Sequence, residues 1–352
     1  MINYCDEYWD DINKAIGSIP MVSELKGKTI MITGATGLIG SSVADMLFYL
    51  NNEYNYGMKI VLAGRNETRM AHRFSPFAAQ KAYQFIFFDA TEEVEIPLHV
   101  DYIIHGASNA NPAAYVREPV ETMLSNITGT NSLLKSAARV GIKRLLYISS
   151  SEVYGNKDGN EPFSEGDYGF VDILSARSCY PSAKRAAETL CVAYSMEYEI
   201  DTVIVRPGHI YGPQITDSDN RASAQFTRCA LNDTDIVMKS RGAQLRSYCY
   251  SIDCASAIIA VMLNGTAGEA YNVSNYASIS SIAEIAQEFA RTAHKQVVYE
   301  IPEEREKKGY NQMTNSSLNS KKIEALGWHA VFSLREGVFK TVSYLQKVNR
   351  NE

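Results

Sequence analysis

The sequence predicts an α/β protein in which a doubly wound parallel sheet carries a smaller, mixed C-terminal lobe. Short apolar runs, typical of buried strands, alternate with longer helical patterns through the first two thirds of the 352 residues. A glycine-rich turn at 34–40 follows the first of these runs. From about Pro207 the alternation weakens, and Pro and Gly separate shorter charged helical segments. These observations predict one large sheet domain and a lobe above its carboxyl edge.

The predicted elements follow one another in a regular order. A helix at about 4–17 and a polar connector precede the first strand, 29–33, and a helix follows the glycine turn from 41 to 50. Further strands are predicted at 59–63, 85–88, 102–105, 144–149 and 202–205. Further helices are predicted at 120–140, 180–197, 282–293 and 320–326. We therefore divide the chain into an N-terminal helical extension (1–27), a sheet domain (28–206) and a C-terminal lobe (207–352) that is interleaved with it.

Composition and charge exclude several classes of protein. The net charge of −6 and the lack of basic runs argue against a nucleic-acid-binding surface. The longest apolar run, 255–263, is far shorter than the roughly 20 residues that cross a bilayer. The six cysteines form no CxxC pair and have no histidine at ligand spacing, which indicates free thiols in a reducing compartment. We expect a cytoplasmic protein without a nucleic-acid, membrane or metal partner.

The glycine turn is typical of a dinucleotide site. Gly34, Gly37 and Gly40 follow a predicted strand and open a predicted helix, in the spacing GxxGxxG. The first glycine permits the tight turn, the second admits a pyrophosphate close to the backbone, and the third lets helix and strand pack closely. The helix N-terminus adds amide donors and a positive dipole. The sheet domain is therefore predicted to be a Rossmann-type, dinucleotide-binding domain.

The sequence leaves the choice between NAD and NADP open. An acidic residue that binds the adenosine ribose would normally end the second strand. Here the strand ends in Gly64, Arg65 and Asn66. An arginine at this point can accept a 2′-phosphate or lie along the adenine ring, or be solvated. Asp89, after the next strand, is the better candidate for a contact with the adenine edge.

The candidate catalytic group is a tyrosine and a lysine four residues apart. Tyr180 and Lys184 lie on one face of a predicted helix. A nearby ammonium and the positive nicotinamide favour the phenolate, so Tyr180 could take a proton from a substrate hydroxyl. Ser150, within the serine cluster at 149–151, could hydrogen-bond the same oxygen. This combination predicts an enzyme that oxidises or reduces a carbon bearing a hydroxyl group.

Together these motifs resemble the extended short-chain dehydrogenase/reductase family, over about 28–340. The matching segments are TGATGLIG (33–40), HGASNANP (105–112), NITGTNSLL (126–134), SSSEVYG (149–155), RSCYPSAKRAAE (177–188), RPGHIYGP (206–213), GAQLRSYCYSID (242–253) and ALGW (325–328). The resemblance implies a nucleotide-diphosphate sugar as substrate, held by the C-terminal lobe, with a nicotinamide cofactor in the N-terminal domain. It also implies a homodimer that pairs through the helices at about 120–140 and 180–198.

The resemblance and the glycine motif together imply two sets of site residues. The expected cofactor-binding residues are Gly34, Thr36, Gly37, Leu38, Ile39, Gly40, Arg65, Asn66, Asp89, Ala90, Gly106, Ala107, Ser108, Asn126, Ser149, Tyr180, Lys184 and Pro207. The expected substrate-binding residues are Asn109, Tyr115, Ser151, Glu152, Arg177, His209, Arg221 and Arg246. By its motif, Arg246 would face a diphosphate or a carboxylate. His209 stands where family members often have Asn, and Arg177 could contact substrate or pair with Glu188 or Asp172.

Glu152 bears on which reaction the chain catalyses. UDP-glucuronate decarboxylases and 4,6-dehydratases of this family carry a glutamate at this position, and a 4-epimerase has no obvious use for one. The 107–112 loop, Arg177 to Tyr180 and the 184–188 segment resemble the decarboxylases. Ser151 stands where dTDP-glucose dehydratases use Asp as proton donor.

Two features point the other way. The decarboxylases usually have Asp-Glu-Gly where this chain has 181–183, Pro-Ser-Ala, and some GDP-sugar dehydratases also have Ser-Glu at 151–152. We therefore expect an NAD-dependent decarboxylase, with a 4,6-dehydratase as the alternative and then an epimerase or reductase. Glu152 would handle a proton near sugar C5, or else merely cap the turn after the strand. A non-catalytic sensor of nucleotide sugars or dinucleotides is an alternative from a different class.

Overall fold

A seven-stranded, all-parallel sheet forms the centre of the protein. The computed structural model describes residues 5–93, 95–96, 99–108, 110, 112–300 and 313–350, and the statements below concern these residues. The strand order is β10-β6-β5-β4-β1-β2-β3. The strands are β1 Thr29–Thr33, β2 Lys59–Gly64, β3 Gln84–Phe87, β4 Tyr102–His105, β5 Arg144–Ile148, β6 Thr202–Pro207 and β10 Ala270–Val273. The predicted doubly wound α/β fold is confirmed.

The seventh strand was missed by the sequence analysis. β10 lies parallel to β6 at the sheet edge, with Ala270 beside Ile204 and Val273 beside Pro207. The pattern at 270–273 is only four residues long and lies in the segment assigned to the smaller lobe. Because β10 and β6 are far apart in sequence, nothing local indicates their pairing. The chain thus leaves the large sheet after β6 and returns to it once.

The helices of the N-terminal part cover both faces of this sheet. They are α1 Asp6–Ile16, α2 Leu38–Tyr54, α3 Glu67–Arg73, α4 Ser75–Ala78, α5 Pro112–Arg117, α6 Pro119–Val140 and α7 Cys179–Tyr198. A proline in the first turn starts α6, where the missing N–H is no loss, and Gly141 ends it with a positive φ of 69°. Helices α6 and α7 pack side by side. The α2 helix begins at Leu38, earlier than predicted, directly after the glycine turn.

The smaller lobe is built around one strand. β9, Leu245–Tyr250, pairs with β7, His209–Tyr211, with β11, Ile279–Ser281, and with β13, Asn315–Ser316. A separate pair is formed by β8 Ile236–Met238 and β12 Val297–Tyr299. The helices are α8 Ala222–Leu231, α9 Ser251–Asn264, α10 Ile282–Ala293, α11 Lys321–Glu324 and α12 Leu334–Arg350. The α11 helix is shorter than the predicted 320–326.

The apolar run near 255–263 forms a buried helix. Every residue of α9 from Ser251 to Met262 is buried, and α9 packs against α2 on one face of the large sheet. A helix that is apolar on all sides is buried on all sides. Among the described residues, no helix is long and apolar enough to cross a membrane.

The N-terminal helix is joined to both lobes by buried hydrogen bonds. The Tyr8 side chain is fully buried, and its hydroxyl donates to Asp45 of α2 at 2.7 Å. Arg73 donates to the same carboxylate oxygen at 2.7 Å. The amide of Gln214, after β7, donates to the Tyr8 hydroxyl at 2.7 Å. One phenol therefore connects α1 with the sheet domain and with the segment that leads into the smaller lobe.

Replacing Tyr8 by Phe is expected to lower the free energy of unfolding by about 1–3 kcal/mol. The change leaves the Gln214 amide without its buried acceptor and removes one donor from Asp45, and unsatisfied buried polar groups carry a penalty of this size. Urea unfolding followed by circular dichroism measures the effect. Tyr54→Phe is the matched control, because the Tyr54 hydroxyl donates to Asn13 at an exposed site. Equal losses in the two variants would contradict a special role for Tyr8.

Candidate active site

The glycine turn between β1 and α2 has the shape of a phosphate cradle. Gly34 has a φ of 70°, and a Cβ there would lie 2.7 Å from the carbonyl carbon of Gly106. A Cβ at Gly40 would lie 2.4 Å from the Gly34 oxygen. No side chain caps α2 at Gly37, so the first amides of the helix stay available. The turn thus excludes larger side chains and presents amide donors to an anion, which fits the pyrophosphate of a dinucleotide.

The polar residues that follow β2 and β3 have local partners. The Asn66 side chain caps α3 by accepting from the Arg69 amide at 2.8 Å. The Asp89 carboxylate accepts from the amide and the hydroxyl of Thr91 at 2.9 and 2.8 Å. Burial opposes ionisation of Asp89, but the Thr91 hydrogen bonds and the charge of Arg65 outweigh it and lower its pKa. The adenine contacts of Arg65, Asn66 and Asp89 stay predictions.

Three of the predicted cofactor residues carry a buried oxygen without a partner in the part of the chain that the structure describes. The side-chain oxygens of Ser108 and Ser149 and Oδ1 of Asn126 are buried, and no hydrogen-bond partner is found for them among the described residues. Buried oxygens of this kind usually have a partner, so they fit a site for a polar ligand. The amides of Gly106 and Ala107 donate to the Thr33 hydroxyl at 3.2 and 3.1 Å.

The remaining predicted cofactor residues lie in the glycine turn, beside α6, or on the wall of a cavity. Ile39 and Pro207 line the cavity described below. Ala90 lies against α6, where a Cβ at Gly129 would come within 2.8 Å of it. Thr36 and Leu38 belong to the turn and to the first residue of α2. Asn109, which was predicted to bind the substrate, lies outside the described residues.

Tyr180 and Lys184 lie in the first two turns of α7, at the end of β5. Both are almost fully buried. The Lys184 ammonium donates to the carbonyl oxygen of Ile148 at 2.8 Å and lies 4.7 Å from the ring centre of Tyr147 and 5.8 Å from that of Tyr180. Burial lowers the pKa of Lys184 to about 7, although the charge of Glu188 opposes this effect. The helical spacing therefore places both groups at one strand end, as the sequence indicated.

The protein by itself does not favour the phenolate of Tyr180, contrary to expectation. Burial, and then the charge of Glu152, raise the pKa of Tyr180 to about 12. The hydroxyls of Ser150 and Tyr115 act in the opposite direction, but their effect is smaller. Lys184 is directed at the Ile148 carbonyl oxygen rather than at the phenol oxygen. A further positive charge beside the phenol, such as the one that an oxidised nicotinamide carries, would favour its ionisation.

The serine cluster leads into a short 3-10 turn that presents Glu152 to the cavity. The turn spans Ser151–Tyr154, and Ser150 caps it by accepting from the Glu152 amide at 3.2 Å. The Glu152 carboxylate does not cap this turn. It pairs with Arg177, whose Nη2 lies 3.1 Å from each carboxylate oxygen. Burial raises the pKa of Glu152, and Arg177 and then Arg246 oppose this shift.

The pairing of Arg177 with Glu188 or Asp172 that the sequence suggested is wrong. Glu188 instead pairs with Arg206 at 2.6 Å behind the site, and both side chains are buried. Asp172 accepts a hydrogen bond from the amide of Leu174 two residues further along. Arg177 reaches Glu152 because the 3-10 turn Ala176–Ser178 and the 3-10 turn after β5 face each other.

Three residues of the smaller lobe face the same space. Arg221 pairs with Asp219 through Nε and Nη2 at 3.0 and 2.6 Å. Arg246, on β9, is only 3% exposed and donates to the Leu245 carbonyl oxygen at 2.8 Å. His209 is buried, and burial together with the charges of Arg246 and Arg221 places its pKa well below the usual value. His209 is therefore neutral, and its Nδ1 has no partner among the described residues.

One cavity of about 460 Å³ brings most of the predicted groups together. The predicted residues that line it are Ile39, Tyr115, Ser149, Ser150, Ser151, Glu152, Arg177, Tyr180, Pro207, His209, Arg221 and Arg246. Its wall also includes residues that the sequence analysis missed, namely Asn220, Phe226, Met238, Lys239, Gln244 and Ile282. Gln244 lies in the quoted segment 242–253, so the family-like motif could have pointed to it. Among the described residues, no group of three or more His, Cys, Asp or Glu could hold a metal ion.

Comparisons with known proteins place this geometry among nucleotide-sugar enzymes. The sequence model of the NAD dependent epimerase/dehydratase family matches residues 30–274. The chain is 31% identical to UDP-glucuronic acid decarboxylase 1 of Xenopus tropicalis over 332 residues, which is 94% of this chain and 75% of that protein. It is 32% identical to UDP-glucuronic acid decarboxylase 3 of Arabidopsis thaliana over 309 residues, which is 88% of this chain and 86% of that protein.

Solved structures share the fold at lower sequence identity. UDP-glucose 4-epimerase of Thermotoga maritima, solved with UDP-glucose, superposes with a TM-score of 0.78 at 23% identity, over 91% of this chain and 99% of that chain. dTDP-glucose 4,6-dehydratase of Streptomyces venezuelae, solved with NAD, superposes with a TM-score of 0.77 at 22% identity, over 92% of this chain and 98% of that chain.

Proposed function

The chain belongs to the NAD dependent epimerase/dehydratase family, and from this premise we propose that it decarboxylates a nucleotide-linked uronic acid, with UDP-glucuronate as the expected substrate. The observation that carries the proposal is an excess of positive charge beside the catalytic tyrosine. Among the described residues, two guanidinium groups, Arg177 and Arg246, face one carboxylate, Glu152. No carboxylate pairs with Arg246 among the described residues. A buried cation of this kind favours a substrate that brings its own anion.

A third arginine that lines the cavity, Arg221, does not add to this excess of positive charge. Arg221 is matched by Asp219, which holds it in a two-pronged contact. The relatives at about 30% identity are named UDP-glucuronic acid decarboxylases, and they agree with an anionic sugar in this cavity. A diphosphate or a C6 carboxylate could each meet Arg246, and guanidinium geometry suits both.

The first chemical step belongs to Tyr180 and Ser150. Tyr180 would take the proton of the sugar 4-hydroxyl, and Ser150 would donate a hydrogen bond to the same oxygen. Bound NAD⁺ would supply the acceptor for the two electrons that leave C4. The glycine turn and the amide-lined start of α2 would hold its pyrophosphate, and Lys184 would lie between the strand end and the nicotinamide ribose.

Once C4 is a ketone, the C6 carboxylate of a uronate is β to it. The C5–C6 bond can then break, carbon dioxide leaves, and the bonding electron pair moves into an enolate on the C4 oxygen. Hydrogen bonds from Tyr180 and Ser150 stabilise this oxyanion in the buried cavity. Glu152 belongs to the acid/base group that returns a proton to C5. Reduction at C4 restores the hydroxyl, and the cofactor ends as it began.

A 4,6-dehydratase is the second candidate. Glu152 is partly buried and has a raised pKa, so it could serve as the base that removes a C5 proton. Ser151 stands where an acidic proton donor is expected in part of that group, and a hydroxyl is a poor general acid. Epimerase and sensor functions are less favoured, because an epimerase does not need Glu152 and a sensor needs neither Tyr180 nor Lys184.

We also propose a homodimer in a reducing, cytoplasmic setting. The outer faces of α6 and α7 expose Val120, Leu124 and Met196 at 61%, 50% and 82%. Exposed apolar side chains on two neighbouring helices are typical of a surface that a second chain covers. The six cysteines are unpaired, which suits a reducing compartment.

The proposed function is tested by product mass. The purified protein is incubated with NAD⁺ and, separately, with UDP-glucuronate, dTDP-glucose and GDP-mannose. We expect UDP-glucuronate to lose the mass of carbon dioxide and the neutral hexoses to stay unchanged. Loss of water from a neutral hexose would identify a dehydratase, and an unchanged mass with an inverted C4 in the proton NMR spectrum would identify an epimerase. Cofactor binding without turnover of any sugar would favour a sensor.

A further inference from the structure

We propose that Arg177 is a positioning residue, which holds the Glu152 carboxylate in the cavity and links it through Tyr115 to Tyr180. The inference rests on the proposed function, because it assigns Arg177 to the second half of the reaction, after C4 has been oxidised. Arg177 would act through Glu152 and would not need to touch the reacting atoms.

The contact between Arg177 and Glu152 is short and shielded. One guanidinium nitrogen lies 3.1 Å from both carboxylate oxygens, and the side chains are only 14% and 18% exposed. Because the pair is largely removed from water, salt and solvent screen it little. Breaking such a pair by removing one partner leaves the other charge buried without compensation. Glu152 is therefore tied to one orientation, directed into the cavity from the turn after β5.

The same guanidinium contacts an aromatic stack that ends at the catalytic phenol. The Cζ atom of Arg177 lies 4.7 Å from the ring centre of Tyr115. The Tyr115 ring stacks on Tyr180 with 4.5 Å between the ring centres and 15° between the planes. Cation–π contacts and offset ring stacking both favour fixed geometry. Arg177 thus contacts both the Glu152 carboxylate and the ring that packs on Tyr180.

The groups that face Glu152 come from several elements. Arg177 comes from the 3-10 turn Ala176–Ser178, Arg246 from β9, Tyr115 from α5, and Cys179 and Tyr180 from α7. Of these, only the two arginines stabilise the carboxylate, and Arg177 is the larger influence. The phenols and the thiol are neutral neighbours, because burial, with a smaller contribution from the charge of Glu152, raises their pKa values. Without Arg177, burial would dominate and Glu152 would hold its proton to higher pH.

The test compares Arg177→Met, Arg177→Lys and the control Arg117→Met. Arg117 lies two residues after Tyr115, and its side chain is 72% exposed. The Glu152 carboxyl is titrated by carbon NMR in protein labelled at the glutamate side chains, and Glu152→Gln identifies its signal. We expect a higher titration midpoint in Arg177→Met, partial return towards the native value in Arg177→Lys, and no change in Arg117→Met. This measurement needs neither substrate nor turnover.

Kinetics supply the second readout. In Arg177→Met, we expect kcat for carbon dioxide release to fall by about 10-fold or more, because Glu152 is no longer held in place, and KM to change little. Glu152 acts as a proton donor to C5, so the alkaline limb of the pH profile should move to higher pH. Adding Arg177→Met to Glu152→Gln should cost little more than Glu152→Gln alone, because Arg177 acts through Glu152. A purely structural role would instead lower every rate without moving the pH profile.

The outcomes separate this inference from the proposed function. An unmoved Glu152 midpoint in folded Arg177→Met, judged by circular dichroism, overturns the positioning role. If Arg177→Met does not fold, the neutral and more polar variant Arg177→Gln decides the question by the same titration, because an unmoved midpoint there has the same consequence. If the Glu152 midpoint shifts in Arg177→Met but the native protein releases no carbon dioxide from UDP-glucuronate, the positioning role of Arg177 stands. The proposed decarboxylase activity is then refuted.

Discussion

Replacing Tyr180 by Phe is expected to lower kcat by about 10²- to 10⁴-fold, the usual contribution of a positioned general base. Tyr180 lies at the end of β5 beside Ser150, and its buried phenol is the group that we propose takes the proton of the 4-hydroxyl. The variant keeps the ring that stacks on Tyr115, so the shape of the cavity and the KM for the sugar should change little. Steady-state product formation and calorimetric binding of UDP-glucuronate measure the two quantities separately.

Tyr194→Phe is the matched control for this experiment. Tyr194 lies on the same helix, and its hydroxyl donates to Asn131 of α6 at 2.9 Å, away from the cavity. The Tyr194→Phe variant also loses one phenol oxygen from α7. Because this oxygen lies away from the cavity, kcat should stay near the native value. If Tyr180→Phe and Tyr194→Phe retained equal and near-native turnover, the assignment of Tyr180 as the proton acceptor would be wrong.

The buried site of Tyr180 beside Glu152 determines the pH range in which its phenol ionises. Burial and Glu152 raise the pKa of Tyr180 to about 12 in the protein alone, so the phenol stays protonated over the whole neutral range. A positive charge beside the ring favours the phenolate and lowers this value. Bound NAD⁺ would bring such a charge, so we expect Tyr180 to act as a base in the complex with cofactor and substrate rather than in the free protein.

Features set by local spacing could be predicted from the sequence. The turn between β1 and α2 was recognised because glycine alone tolerates the φ of 70° at Gly34 and the close approach of Gly106. Tyr180 and Lys184 were placed together because four residues bring two side chains to one face of a helix. Ser150 was expected near the substrate hydroxyl because polar residues after a parallel strand lie at the carboxyl edge of the sheet, where ligands bind.

Features set by contacts between distant segments could not be predicted. The partner of Arg177 depends on how two 3-10 turns, 25 residues apart in sequence, fold towards each other. The pairing of Glu188 with Arg206 depends on the packing of α7 on β6. The short strand β10 is defined by its neighbour β6 and not by its own pattern. The charge excess around Arg246 likewise appears only when β9 and the turn after β5 are placed side by side.

Replacing Glu152 by Gln is expected to separate the two halves of the reaction. Oxidation at C4 depends on Tyr180 and Ser150, so reduction of the nicotinamide by bound UDP-glucuronate should stay within about 10-fold of the native rate. Return of a proton to C5 depends on a group that can ionise, so release of finished product should fall by about 10²-fold or more. The absorbance of reduced nicotinamide in single turnovers and the product mass report the two steps. Reduced cofactor should accumulate in the variant.

Glu161→Gln is the control, because Glu161 is an exposed residue in the segment that follows the same turn. The two variants lose the same charge, so the difference between them isolates the position of Glu152. The contact between Glu152 and Arg177 should survive the substitution. Glutamine can still accept from the guanidinium, so Arg177 should stay in place and the stack of Tyr115 on Tyr180 should survive. If product forms at the full native rate in Glu152→Gln, the proton at C5 must come from another group, and the Glu152 carboxylate serves binding alone.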